Sequence, residues 1–187
     1  MMVTLSKSRA VCYTGSMVHL YYGDGKGKTT AALGMALRAA GNGWRVVVVQ
    51  FLKGRETGEV RALGRLGVTV LRGKAGKRFT AQMTEAEREA TKEICNEHFT
   101  AARAQCAAPS SPTLLVLDEI CAAYAGGFVV RGDVDDFLAA VPPHLEVVLT
   151  GREPPASFLA RADYVTEMRK CRHPFDAGAA ARAGVEF

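Results

Sequence analysis

MVHLYYGDGKGKTTAALGMALRAA, Met17 to Ala40, passes from an apolar run through a loop of glycines and lysines into a segment with helical spacing. In that segment Leu33, Ala36, Leu37 and Ala40 fall on one helix face. The stretch therefore reads as strand, loop, helix. Gly27-Lys28-Thr29 supply the last three positions of the phosphate-loop pattern G-x-x-x-x-G-K-[ST], whose first glycine is replaced by Tyr22. Glycines let successive amides turn inward around an anion, the helix N-terminus adds partial positive charge, and Lys28 adds a full one. The expected nucleotide-binding set is Gly23, Asp24, Gly25, Lys26, Gly27, Lys28, Thr29 and Thr30. Thr29, the first hydroxyl after the lysine, is placed for the magnesium ion that a nucleoside triphosphate carries.

The 187 residues, 48% hydrophobic and 23% charged, suit one domain with a sizeable core. The net charge of +5 fits anionic ligands without singling out nucleic acid, because the basic residues are dispersed and not interleaved with aromatics. Arg72 to Arg78 form the one local basic cluster, to which solvation and a ligand-facing loop are both open. Cys12, Cys95, Cys106, Cys121 and Cys171 are odd in number and contain no C-x-x-C pair, so reduced thiols in the cytoplasm are expected. The histidines have no zinc-type spacing. No uncharged run approaches the roughly 20 residues of a membrane span. Residues 1–16 lack the apolar centre of a signal peptide and are expected to be a poorly ordered extension to a single domain over 17–187.

Four consecutive valines in Trp44 to Phe51 predict a strand buried on both faces, hence a mostly parallel sheet covered by helices. Lys53-Gly54-Arg55 leave its carboxyl end, where open parallel sheets bind ligands, and phosphate contact or simple solvation fits them equally. A short helix is expected over Glu56 to Leu66 and a strand over Val68 to Leu71. Thr84 with Glu87 forms a capping box, and the helix it starts runs to about Cys106. Thr113 to Glu119 (TLLVLDE) predicts a buried strand ending in two carboxylates, the place from which Asp118 and Glu119 would hold magnesium beside a triphosphate. Asp133 precedes an apolar-periodic run, Val134 to Val141, and is read as serving a helix start through capping and the dipole. A further strand spans Leu145 to Thr150, and Arg152 beyond it is a candidate phosphate contact. Ser157 to Arg161 reads as helical, Tyr164 to Met168 as a last strand, and the tail as irregular.

Together these stretches resemble the phosphate-loop class of ATP:corrinoid adenosyltransferases. The matching pieces are GKGKTTAA (25–32), VVQFLKG (48–54), VLDE (116–119), LTGR (149–152) and HPFDAG (173–178), in family order over nearly the whole chain from Met17. The resemblance implies a three-layer α/β fold of the RecA-like, P-loop NTPase kind and a homodimer. It implies transfer of the 5′-deoxyadenosyl group of ATP to the cobalt of a reduced corrinoid, with inorganic triphosphate released and a reduced flavoprotein as electron donor. Co(I) is itself a strong nucleophile, so no general base is required. The protein must align cobalt with carbon and stabilise charge on the triphosphate. Lys28 and Glu119 are the expected catalytic pair, with magnesium held by Thr29 and Glu119 and supported by Asp118.

Asp24 stands where an asparagine occurs in the best-known members, so repulsion from phosphate needs compensation by Lys26 or magnesium. Lys77 and Phe79 occupy the positions of an aromatic pair that displaces the lower axial ligand of cobalt, leaving Phe79 to approach the corrinoid alone. Two rival readings share the loop: an ATP-hydrolysing or phosphoryl-transferring enzyme, with Glu119 orienting water or Asp118 activating a hydroxyl, and a RecA-like nucleic-acid ATPase module.

Overall fold

Strands β1 (Val18–Tyr22), β2 (Arg45–Phe51), β3 (Thr69–Gly73), β4 (Thr113–Asp118), β5 (Leu145–Gly151) and β6 (Tyr164–Glu167) form one sheet. Its order is β3-β2-β4-β5-β1-β6 and every pairing is parallel. The computed structural model describes residues 15–55, 57–108, 111–178 and 180–185. The extension expected over 1–16 therefore lies, from 1 to 14, outside the described residues, as do Cys12 and Glu56.

Alternation along the strands divides the core into two layers. Val46, Val48, Leu114, Val116 and Val148 face α1 (Lys28–Gly41) and α2 (Gly58–Arg65), meeting Ala32, Ala36 and Leu63. Val47, Val49, Leu115, Leu117, Val147 and Leu149 face the opposite layer. That layer contains α3 (Glu85–Cys106), α4 (Ile120–Ala125), α5 (Arg131–Ala139) and α6 (Ala156–Arg161). The result is the expected three-layer α/β fold. Because both faces are buried, a slip of one residue in register would exchange the two side-chain sets, so the register is strongly specified.

The capping box is formed: the Thr84 amide donates to Glu87 Oε2 at 2.9 Å, and the Glu87 amide to Thr84 Oγ1 at 3.2 Å. For Asp133 the dipole part of the expectation holds and the capping part does not. This residue lies in the first turn of α5, whose cap is Val130 with no side-chain hydrogen bond, so its contribution is to the helix dipole. Helix α4 had no signal in the sequence, because its run ICAAYA carries no polar face. It begins at Glu119 in left-handed conformation and buries Ile120, Cys121 and Ala123. The tail contains a 3-10 turn at Pro174–Ala177. The basic cluster at 72–78 serves internal contacts: Arg72 donates to Thr57 and to the Arg55 carbonyl, Lys74 to the Arg78 carbonyl, and Arg78 pairs with Glu87. Among the described residues no helix is long and apolar enough to cross a membrane, and Cys95, Cys106, Cys121 and Cys171 are free thiols.

Candidate active site

The chain leaves β1 at Tyr22 and folds over itself between Gly23 and Gly27, whose φ angles of 110° and 116° suit only glycine. Gly23 and Gly25 also lie against the segment that follows β6, where an added Cβ would stand 2.5 and 2.6 Å from the Met168 carbonyl oxygen. Their amides fix the loop there. Gly23 N–H donates to the Arg152 carbonyl at 3.1 Å, and Gly25 N–H to the Met168 carbonyl at 2.7 Å. These two glycines thus shape the loop. Helix α1, which follows, has no side-chain cap and no acid in its first turn, so its positive end is directed at the cavity.

The cavity has a volume of about 910 Å³ and is lined by residues 24–30, Lys53, Glu119 and Arg152. That volume is sufficient for a nucleoside triphosphate. Leu33 and Leu37 of α1, Ala62 and Leu63 of α2 and Leu66 just after it form an apolar wall, while His173, Gly184 and Val185 reach it from the tail. Lys26 Nζ donates to the Val185 carbonyl at 2.9 Å, bringing residues 159 positions apart together at the mouth. Of the residues expected from sequence, Asp24, Gly25, Lys26, Gly27, Lys28, Thr29, Thr30, Glu119 and Arg152 share this wall. Gly23 and Asp118 are buried and do not line the cavity. Phe79 is elsewhere, 74% exposed on the loop after β3 and not part of the lining.

Behind the wall, Gln50 of β2, Asp118 of β4 and Thr150 of β5 form a row at the carboxyl edge of the sheet, on the side packed by α1. Gln50 and Asp118 are register partners. Asp118 is fully buried, and both of its oxygens are engaged. Oδ1 accepts from Thr29 Oγ1 at 2.8 Å and from Thr150 Oγ1 at 2.7 Å. Oδ2 accepts from Lys53 Nζ at 2.6 Å and from Gln50 Nε2 at 3.3 Å. Thr150 Oγ1 in turn accepts from the Glu119 amide at 2.9 Å, so one hydroxyl on β5 holds both the Asp118 side chain and the Glu119 backbone.

Leu52 and Glu119 are the two non-glycine residues with positive φ among the described residues, at 59° and 61°. Each such residue costs about 1–2 kcal/mol. They stand just beyond adjacent strands β2 and β4, and the turns they make present Lys53 and Glu119 to the same cavity. Strain concentrated in this way is characteristic of functional sites. Burial, then the neighbouring Asp118 charge, raises the Glu119 carboxyl above its ordinary value, against the opposing pull of Lys53, Lys28 and Arg152. Burial chiefly lowers Lys28, whose Nζ bends back to donate to the Gly25 carbonyl at 2.7 Å.

Asp24 accepts a hydrogen bond from the Lys170 amide at 2.9 Å, the main reason its carboxyl lies below the usual range. The compensation that the sequence assigned to Lys26 or magnesium thus comes first from a backbone donor. Asp24→Asn keeps that acceptor and removes a negative charge from the cavity. ATP binding measured by calorimetry is expected to tighten about five-fold, or roughly 1 kcal/mol for a charge at this range in a solvated site. Unchanged or weaker binding would show that the carboxylate itself serves the ligand.

Sequence reasoning left Lys53 undecided and missed Gln50, Thr150, Glu59 and His173. Gln50 and Thr150 had a signal of a kind: each is a polar residue ending a run of buried aliphatics, as Asp118 is. Glu59 in the first turn of α2 lines the cavity, close to Gln50 Nε2 at 3.5 Å from its Oε1.

A sequence model of the family described as ATP:corrinoid adenosyltransferase BtuR/CobO/CobP matches residues 14–187. The chain is 37% identical over 169 residues to the corrinoid adenosyltransferase of Pseudomonas aeruginosa, covering 90% of this chain and 82% of that one. It is 36% identical over 172 residues to the corrinoid adenosyltransferase of Escherichia coli K12, covering 91% and 85%. The same figures hold for corrinoid adenosyltransferase CobA of Salmonella typhimurium. With the glycine loop, Glu119 and the tail in one cavity, a match over this span leaves a single placement: the chain belongs to the ATP:corrinoid adenosyltransferase family.

Proposed function

We propose that this chain binds ATP by its triphosphate in the 24–30 loop and delivers the 5′ carbon to the cobalt of a reduced corrinoid. The cobalt–carbon bond forms as the C5′–O bond breaks, and triphosphate departs with the electron pair. The observation that carries this reading is the gathering of Lys28, Lys53, Arg152 and the N-terminal end of α1 around one cavity, a set suited to hold a departing triphosphate. Cations and amides arranged in advance stabilise negative charge on the leaving group without reorganising as it develops. Asp118 does not fit the role of activating a hydroxyl, because both its oxygens are already engaged behind the wall.

Magnesium fits the oxygen donors present. Thr29 and Glu119 would hold it, with Asp118 orienting Thr29, and the buried Gln50 Oε1 without a protein partner is an acceptor suited to a metal-bound water. Among the described residues no three His, Cys, Asp or Glu side chains gather to bind a metal alone, in keeping with an ion that takes most of its ligands from phosphate and water. When bound, it would neutralise charge on the triphosphate. Phe79, exposed beyond the cavity, is the side chain we assign to the corrinoid. We further place the enzyme in the cytoplasm as a homodimer supplied with electrons by a reduced flavoprotein. The free buried thiols and the exposed Tyr164 and Val165 of the edge strand are consistent with the compartment and the dimer, respectively.

The test is anaerobic incubation with ATP, magnesium and chemically reduced corrinoid. One triphosphate is expected for each cobalt–carbon bond seen in the spectrum. Recovery of ADP and orthophosphate with no alkylated corrinoid would instead support a hydrolase or kinase.

A further inference from the structure

Lys53 leaves β2 through the left-handed turn at Leu52, which sends its side chain back over the edge of the sheet. Its ammonium donates to Asp118 Oδ2 at 2.6 Å and to Thr29 Oγ1 at 3.1 Å. Thr29 Oγ1 itself donates to Asp118 Oδ1 at 2.8 Å. One ammonium therefore bridges a hydroxyl and a carboxylate. The carboxylate differs from the lysine in access to water: the Asp118 side chain is 0% exposed, whereas that of Lys53 is 28% exposed. The carboxylate cannot leave, and a buried carboxylate needs a cation beside it. The lysine can leave, because the cavity that it lines also contains the glycine loop.

We propose that Lys53 is a resident counter-ion that shares the Thr29 and Asp118 oxygens with the divalent cation, so that metal binding is an exchange. The ammonium moves off the oxygen pair into the cavity, and the cation takes its place beside Asp118. The displaced charge then faces the triphosphate. Metal alone must expel Lys53 into water, whereas metal arriving with ATP gives Lys53 a polyanion to meet. Binding of metal and nucleotide is consequently cooperative, each favouring the other through the position of one side chain. The inference rests on the magnesium site proposed above at Thr29 and Glu119, and extends it to the Asp118 oxygens behind Thr29.

Manganese, titrated alone and with ATP, reports the exchange through its electron paramagnetic resonance signal, independently of turnover. Lys53→Met keeps the aliphatic stem and removes the charge; Lys53→Gln keeps a hydrogen-bond donor and serves if the first variant does not fold. Either is expected to bind manganese alone at least ten-fold more tightly than the wild type, and manganese alone is expected to raise its melting temperature. The enhancement of manganese binding by ATP should shrink correspondingly. Lys53→Arg, which retains the charge, should bind manganese alone no better than the wild type. Equal affinity for manganese alone in wild type and Lys53→Met, with Thr29→Ala weakening both, would overturn the exchange while leaving the metal site standing. Manganese binding with ATP that is indifferent to Thr29→Ala would overturn the exchange and the metal assignment together.

Discussion

Lys28→Ala is expected to lower the rate of cobalt–carbon bond formation by about 10²–10³-fold, the loss typical of removing one fixed donor from a developing anion, or roughly 3–4 kcal/mol. Lys28 lies at the start of α1, lines the cavity, and has no acid in its helix turn to compete for its charge. Burial is the largest influence on its ammonium and lowers its pKa, so an incoming polyanion gains from an incompletely solvated cation. The fold should survive. The hydrogen bond lost is the local one to the Gly25 carbonyl, worth about 1 kcal/mol or less. The measurement is a single-turnover rate under anaerobic conditions, paired with thermal unfolding. Turnover within ten-fold of the wild type would remove Lys28 from the triphosphate site.

Asp118→Ala should damage both stability and activity. The carboxylate accepts from Thr29, Thr150, Gln50 and Lys53 in a place water does not reach. Removing one partner of such a pair leaves donors stranded and typically costs about 3–5 kcal/mol. The lower end is expected here because Lys53 can turn to the cavity. In a chain of this length that corresponds to a fall in melting temperature on the order of 10 °C. Thr29 loses its orientation at the same time, so activity should fall at least about 10²-fold even in the fraction that remains folded. Asp118→Asn, which keeps an acceptor for the hydroxyls, should fall between the two. A stability loss below about 1 kcal/mol in urea unfolding of Asp118→Ala would mean that the row of Gln50, Asp118 and Thr150 is open to solvent.

The parts of this molecule that were legible in the sequence depend on neighbours in the chain. Four valines in a row announce a doubly covered strand, Thr84 and Glu87 announce a helix start, and glycines before Lys28-Thr29 announce an anion loop. Each pattern works over a few residues, where backbone geometry alone decides who meets whom. Helix α4 escaped because an apolar run without a polar face has no period to read. Asp133 was open to both capping and the dipole because an acid serves a helix start from the cap and from the first turn alike.

The sequence by itself determined the layered parallel sheet, the phosphate loop, the acid strand and, through motifs in order, the family. Only the tertiary structure decided that Asp24 turns to the Lys170 amide, that Lys53 returns to Asp118, and that the tail meets Lys26. It also decided that Phe79 stands outside the cavity. These contacts join residues from 65 to 159 positions apart, as with Lys53 and Asp118 or Lys26 and Val185. Such distances are bridged by the order and register of strands, which are set by burial on both faces of the sheet and not by any local pattern in the residues that meet.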